Sequence, residues 1–316
     1  MKLAFVFPGQ GSQTVGMLDS FADNAVVQAA LKTANDALGE DLAEMIHSGP
    51  AESLNMTVNT QPAMLTSSVA LYQAWLALGG KKPEVMAGHS LGEYSALTAA
   101  GVFDLADAVR LVRFRAKAMQ EAVPVGQGGM AAIIGLSDEV VAQVCQEASA
   151  QGVVEAVNFN SPGQVVIAGE KAAVEKTCEL AKAQGAKRAL LLPVSAPFHS
   201  SLMKPASVAL RAKLEETPMS APEIDVVANV DVKVHKDKEA IIEALASQAA
   251  GAVQWVKTIQ AFKEMGVTHI VECGPGRVLA GLIKRIDSSI VVKNINSQDS
   301  LVAVLEEINA AEQLKQ

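Results

Sequence analysis

The sequence is poor in the features that would carry a chain to nucleic acid, to a membrane or to an oxidising compartment. Basic residues are in the minority: 26 Lys and Arg stand against 34 Asp and Glu, a net charge of −8. That balance argues against a general nucleic-acid or anionic-lipid surface, although it is compatible with a local basic patch. Cysteine is scarce. Cys145, Cys178 and Cys273 are far apart, odd in number and without metal-ligand spacing. They read as buried thiols in a reducing compartment, and neither a disulfide framework nor a metal site is expected. No apolar run approaches the roughly 20 residues of a membrane span. The N-terminal run stops at Pro8 and Gly9, short of the ~7–15-residue apolar region of a signal peptide, and no small-residue cleavage site follows. Long polar or low-complexity tracts are missing too, which excludes extended disorder. A soluble cytoplasmic protein without membrane or nucleic-acid partners is expected.

Half of the 316 residues are hydrophobic, enough for a substantial core in one large domain or one domain with an insert. Residues 3–7 read as a strand running into the glycine-containing loop Pro8-Gly9-Gln10-Gly11-Ser12. A helix is expected from near Pro62, a residue tolerated in a first helical turn, to the break at Gly79-Gly80. A strand at 84–87 leads into Gly88-His89-Ser90-Leu91-Gly92 and a helix, and an amphipathic helix spans 104–121. The rhythm then changes. Strand 130–136, a helix over 138–150 capped by Ser137, strands 153–159 and 164–168, helix 172–184 and strand 186–194 follow in turn. That order, βαββαβ, predicts a ferredoxin-like subdomain over 126–195. A helix (201–216), a strand (224–230), two helices (239–248 and 255–265), strands at 268–272 and 290–292 and a final helix complete the chain. The fold class is therefore α/β: a hydrolase-like, mostly parallel sheet with helices on both faces, built from 1–125 and 196–316, with the subdomain inserted.

Gly88-His89-Ser90-Leu91-Gly92 matches the G-x-S-x-G nucleophile elbow, a tight strand-to-helix turn that pushes a serine hydroxyl out over the sheet. The flanking segments read as strand and helix, so the context supports Ser90 as nucleophile over an ordinary βα turn. A helix beginning after Ser90 aims unpaired N–H groups at the same point, which makes the Leu91 N–H a natural oxyanion donor. A second donor has to come from another loop. Pro8-Gly9-Gln10-Gly11 is the best candidate, and a plain strand-ending turn is its alternative. Serine also needs a base, and there are five histidines. His89 lies inside the elbow, His47 and His235 in polar stretches, and His269 in an apolar strand, where a core histidine is expected. His199, after Pro197-Phe198 where the chain leaves the subdomain, is the choice for base. No carboxylate is near it in sequence. A distant carboxylate, a backbone carbonyl or an amide would each orient the ring.

Several blocks together resemble the malonyl-CoA:acyl carrier protein transacylase family of type II fatty-acid synthesis, over essentially the whole chain. They are Phe5-Val6-Phe7-Pro8-Gly9-Gln10-Gly11-Ser12-Gln13, Gly88-His89-Ser90-Leu91-Gly92-Glu93-Tyr94, and Arg115 with Met119-Gln120-Glu121-Ala122-Val123-Pro124. Asn158-Phe159-Asn160-Ser161-Pro162-Gly163-Gln164, Phe198-His199-Ser200, Val253-Gln254-Trp255 and Gly274-Pro275-Gly276 follow in order. The resemblance implies Ser90 as nucleophile, His199 as general base, and the backbone carbonyl of Gln248 as the group that orients the imidazole. It gives the oxyanion hole to the N–H groups of Gln10 and Leu91, and the malonyl carboxylate to Arg115. By pattern alone, Arg110, Arg113 and Arg115 share one helix and read as a solvated face. In related acyltransferase domains of polyketide synthases, a Phe directly before the catalytic His goes with malonyl over methylmalonyl selection. Phe198 takes that role by resemblance, and a core aromatic is the plainer reading.

The implied chemistry is ping-pong transfer from malonyl-CoA to the phosphopantetheine thiol of an acyl carrier protein, with no resident cofactor and no metal. Lys187, Arg188, Lys204, Lys284 and Arg285 are candidates for meeting the acidic carrier, each otherwise an ordinary solvated charge. A serine esterase or thioesterase with the same elbow is the nearest alternative. A non-catalytic acyl-binding scaffold is another, disfavoured because Ser90, His199 and Arg115 are all present.

Overall fold

The computed structural model describes residues 1–194 and 196–314; Ser195, at the expected subdomain boundary, and the last two residues lie outside the described residues. Its strands are β1 (Leu3–Phe7), β2 (Val85–Gly88), β3 (Gly128–Ile134), β4 (Val154–Ser161), β5 (Gln164–Glu170), β6 (Arg188–Leu191), β7 (Asp225–Val227), β8 (His269–Cys273) and β9 (Val291–Ile295). Every residue of β1 is buried, a pattern that requires cover on both faces. Accordingly β1 is the central strand of a parallel sheet ordered β7-β2-β1-β8-β9.

Side chains alternate between the two faces. Leu3, Phe5 and Phe7 enter one core with Tyr72 and Trp75, closed by the helices Ala25–Leu38, Thr57–Ala77 and Leu105–Glu121. Ala4 and Val6 face a second core with Trp255, Ile259 and Phe262, under the helices Trp255–Glu264 and Val278–Ile286. From β1 the chain goes to β2 and β7 on one side, then returns to β8 and β9 on the other. The loops after β1, β2, β7 and β8 therefore open at the carboxyl end of the sheet, beside the reversal of strand order, where open α/β sheets place their ligands.

The second sheet is antiparallel, ordered β4-β5-β3-β6. The helices Asp138–Ala148 and Lys171–Ala183 bury Val141, Val144, Val174 and Ala181 against Ala131, Ile133, Val165 and Ile167. The strand and helix order is the ferredoxin-like one expected from the sequence. On the sheet's other face Met130, Val157, Val166 and Ala168 meet Leu192, Val194 and Phe198. Val253 N–H donates to Val157 O at 2.7 Å and Phe159 N–H to Val253 O at 3.0 Å. These bonds tie β4 to the segment before helix Trp255–Glu264.

Two expectations need correction. The helix expected to begin near Pro62 begins at Thr57 and carries the proline inside it. Pro62 has no N–H to offer the carbonyl of Val58 four residues back. Arg113 supplies the missing donor, its Nε 2.6 Å from Val58 O, while Glu40 holds both terminal nitrogens. Helices Ala25–Leu38, Leu42–Ser48 and Ala51–Leu54 also occupy a stretch with no predicted element. Among the described residues, no helix is long and apolar enough to cross a membrane.

Candidate active site

The elbow is built by close backbone approach. β2 is wholly buried, and helix Gly92–Ala99 starts two residues after Ser90. An added Cβ on Gly88 would lie 1.7 Å from Gly92 O, and one on Gly92 would lie 2.1 Å from Phe7 O. No side chain fits at either place. Between them Ser90 is held at φ 56, the left-handed region, which strains a residue that has a Cβ.

His199 lies before helix Lys204–Glu216 at φ 67, and is 3% exposed. Its Nε2 is 2.6 Å from Ser90 Oγ, and its Nδ1 is 2.7 Å from the main-chain oxygen of Gln248. A carbonyl can only accept, so Nδ1 carries the ring proton and Nε2 presents its lone pair to the serine hydroxyl. Gln248 lies in the last turn of helix Lys238–Ala249, where carbonyls lack intrahelical partners and the helix dipole favours positive charge. Of the three ways to orient the base that the residues left open, the structure places a carbonyl there. Burial, and then the cation of Arg115, depress the His199 pKa to about 3. The ring is neutral and able to accept a proton at any physiological pH.

Arg115 is 1% exposed, so the solvated-face reading fails for it. On helix Leu105–Glu121 it stands four residues after Leu111 and four before Met119, both buried. It therefore interrupts the apolar stripe of its own helix, a signal legible in the sequence. Its Nη1 donates to Gln61 Oε1 at 2.8 Å and its Nη2 to Gln248 Oε1 at 2.9 Å. Nη2 also lies 3.4 Å from Ser90 Oγ, and the guanidinium sits over the Tyr94 ring, 5.2 Å from its centroid. Both strong side-chain hydrogen-bond partners are neutral amides, and the buried carboxyl of Glu93 lies within electrostatic reach of the cation. Arg113 is committed to Val58 and Glu40. Only Arg110, paired with Asp107, keeps the expected exposed setting.

Gly9 presses the loop after β1 against the elbow: a Cβ there would lie 2.5 Å from His89 O and 3.8 Å from Leu91 N. Among the described residues, the main-chain N–H groups of Gln10 and Leu91 donate to no acceptor. The side chain of Gln10 accepts from Thr57 Oγ1 at 2.7 Å, and Thr57 accepts from Gln61 Nε2 at 3.0 Å. A polar chain thus runs from Arg115 to the loop beside the elbow. Phe198 is half-buried against Met119 and Met203. It lines a cavity of about 360 Å³ with Gln10, Met56, Val58, Gln120 and Val194.

The remaining histidines stand apart. His89 turns away from the hydroxyl to Asn160 Oδ1 at 2.7 Å and packs on Trp255. His47 and His235 pair with Asp19 and Asp231. His269 is not a core residue: it is partly exposed at the start of β8, bonded to Thr268 Oγ1. The sequence reading missed Gln61 and Asn229. Asn229 Oδ1 accepts from Ser90 N–H at 2.8 Å. Neither residue belongs to a motif; the one available signal was a polar residue directly before a proline in an apolar helix.

Residues 4–306 match the sequence model of the acyl transferase domain. Over 306 residues the chain is 55% identical to the malonyl CoA-acyl carrier protein transacylase of Escherichia coli (strain K12), a match covering 96% of this chain and 99% of that one. Its fold is similar to that of acyl-carrier-protein S-malonyltransferase from Burkholderia pseudomallei 1710b, at 61% identity and TM-score 0.96, over 97% of this chain and 100% of the other. It is also similar to a malonyl-transacylase solved with its type II PKS acyl-carrier protein, at 50% identity and TM-score 0.96, with the same coverages.

Proposed function

The chain belongs to the acyl transferase family, and from that membership we propose that it moves the malonyl group of malonyl-CoA onto the phosphopantetheine thiol of an acyl carrier protein. One observation carries the substrate choice: a buried guanidinium lies 3.4 Å from a serine oxygen that is itself 2.6 Å from a neutral imidazole. The two carboxyl carbons of a malonyl group are roughly 2.5 Å apart by standard bond lengths and angles. A malonyl ester on Ser90 therefore keeps its free carboxylate beside Arg115, whereas a longer diacid has to fold back. The planar fork of arginine suits a carboxylate.

The exchange is ping-pong. Ser90 Oγ attacks the thioester carbon and passes its proton to His199 Nε2, while Gln248 O holds the Nδ1 proton. Negative charge builds on the carbonyl oxygen, where the N–H groups of Gln10 and Leu91 receive it. Collapse breaks the C–S bond, and the coenzyme A sulfur leaves with the proton from His199. The carrier's thiol then gives its proton to His199 and attacks the ester, and Ser90 Oγ leaves with that proton. One thioester replaces another, so the chemistry requires no metal and no redox cofactor. Lys187, Arg188, Lys204, Lys284 and Arg285 are all exposed and available to an acidic carrier.

Mixing the enzyme with excess malonyl-CoA tests the reading. A burst of about one equivalent of free coenzyme A, followed by near silence until carrier protein with a free phosphopantetheine thiol is added, is the expected trace. Sustained release without carrier protein would make the protein a thioesterase. Absence of a burst would leave it a non-catalytic acyl-binding chain.

A further inference from the structure

We propose that Asn229 is a positioning residue for the nucleophile: its side-chain amide clamps the elbow in the strained conformation that aims Ser90 at His199. The inference rests on the reading of Ser90 as nucleophile. β2 and β7 pair as far as Ala87 and Val227, and Asn229 stands just past the end of β7, fully buried. There its side chain takes over the ladder that the main chain has left. Nδ2 donates to Gly88 O at 2.6 Å, and Oδ1 accepts from Ser90 N–H at 2.8 Å. A single planar group thus grips the carbonyl on one side of His89 and the N–H on the other.

The clamp is itself anchored. Asn229 N–H donates to Glu93 Oε1 at 2.8 Å, and its carbonyl accepts from Gln254 N–H at 3.1 Å. Gln248 Nε2, which donates to Ser90 O at 2.8 Å, also lies 3.3 Å from Asn229 Oδ1. The turn that carries Asn229 closes by bonds from Ala228 N–H to Lys233 O at 3.0 Å and from Val232 N–H to Ala228 O at 3.1 Å. It holds Val232 at φ 59, an uncommon place for a β-branched residue. Such backbone states are strained and persist only where surrounding structure over-determines them. At Ser90 the surrounding structure is the close glycine packing of the elbow, the bond from Gln248 Nε2 to Ser90 O, and this amide, which holds the Ser90 N–H. Asparagine offers a donor and an acceptor at one reach; aspartate keeps the acceptor and loses the donor, and alanine loses both.

The test is the rate of Ser90 labelling by two electrophiles. One is malonyl-CoA; the other is a small neutral fluorophosphonate, which Ser90 Oγ attacks at phosphorus with loss of fluoride and which makes no use of Arg115. Asn229→Ala should slow both reactions by a similar factor, about 10²-fold, as expected for a nucleophile displaced by about 1 Å. The malonyl-CoA concentration for half-maximal acylation should change by less than about threefold. Asn229→Asp, nearly isosteric, should lose at least about tenfold with the fold intact by circular dichroism. It decides the matter if the alanine variant does not fold. Labelling within about threefold of wild type in a folded variant, or a loss confined to half-saturation, overturns the clamp. Wild-type enzyme that takes the fluorophosphonate on Ser90 but not the malonyl group would refute the malonyl reading alone, and the fluorophosphonate comparison would still judge Asn229.

Discussion

Replacing Arg115 by alanine should separate substrate recognition from catalysis. The guanidinium is buried, bonded to Gln61 and Gln248, and 3.4 Å from the reacting oxygen. Truncating one side of a buried, hydrogen-bonded charge pair costs about 2–5 kcal/mol. At about 1.4 kcal/mol per tenfold, kcat/KM for malonyl-CoA should fall by roughly 30-fold to several thousandfold. Acetyl-CoA has no carboxylate and loses nothing from that contact. It stands to gain, because the Arg115 cation is the second cause, after burial, of the low His199 pKa. Without that charge the imidazole becomes more basic and moves towards the operating pH, where a general base works best. Acetyl transfer should therefore hold or rise while malonyl transfer collapses, and Arg115→Lys, a point charge without the fork, should fall between for malonyl. Single-turnover acylation of Ser90 by each thioester measures the ratio. Gln61 Oε1 and Gln248 Oε1 lose a donor in the alanine variant, so its melting temperature sets the assay temperature. Equal losses for the two thioesters would exclude Arg115 as the carboxylate's partner.

Phe198→Ala should admit methylmalonyl-CoA, because the ring borders the cavity beside Gln10; no gain in branched-acyl transfer would show Phe198 to be a packing residue only. Reversing charge at Lys284 and Arg285 should raise the apparent KM for carrier protein but not for malonyl-CoA, and an unchanged carrier KM would discard that patch. Burial raises the Glu272 pKa from 4.5 to about 7, although the N–H groups of Leu279 and Ala280 oppose it. Between those values the folded state holds a proton that the unfolded state has lost. The contribution of Glu272 is thus complete below pH 4.5 and declines as pH rises through 7, by up to about 3 kcal/mol. The stability difference between wild type and Glu272→Gln should shift accordingly between pH 5 and 8, and a pH-independent difference would contradict this.

Much of the fold was legible because its central parts are local. The buried run of β1, the elbow between strand and helix, and the βαββαβ order each lie within a short window of sequence. Pro62 misled because the donor that replaces its missing N–H comes from Arg113, on another helix. The site divides in the same way. Ser90 and His199 announce themselves by a motif and by a small choice of histidines. Gln248 meets His199 through a main-chain carbonyl that any residue possesses, so its side chain carries no signal of that contact. Arg115 was readable only by placing it on the apolar stripe of its helix. Asn229 and Gln61 reach the site from the turn after β7 and from helix Thr57–Ala77, a juxtaposition made by the fold and not by spacing.

The most direct test is to locate the acyl group itself. Enzyme exposed briefly to labelled malonyl-CoA, freed of excess substrate and digested, should carry the label on the peptide containing Ser90. Undigested enzyme chased with phosphopantetheine-bearing carrier protein should pass that label to the carrier thiol. Label on any other residue, or its loss as free malonate while the carrier stays unmodified, would rule out acyl transfer through Ser90.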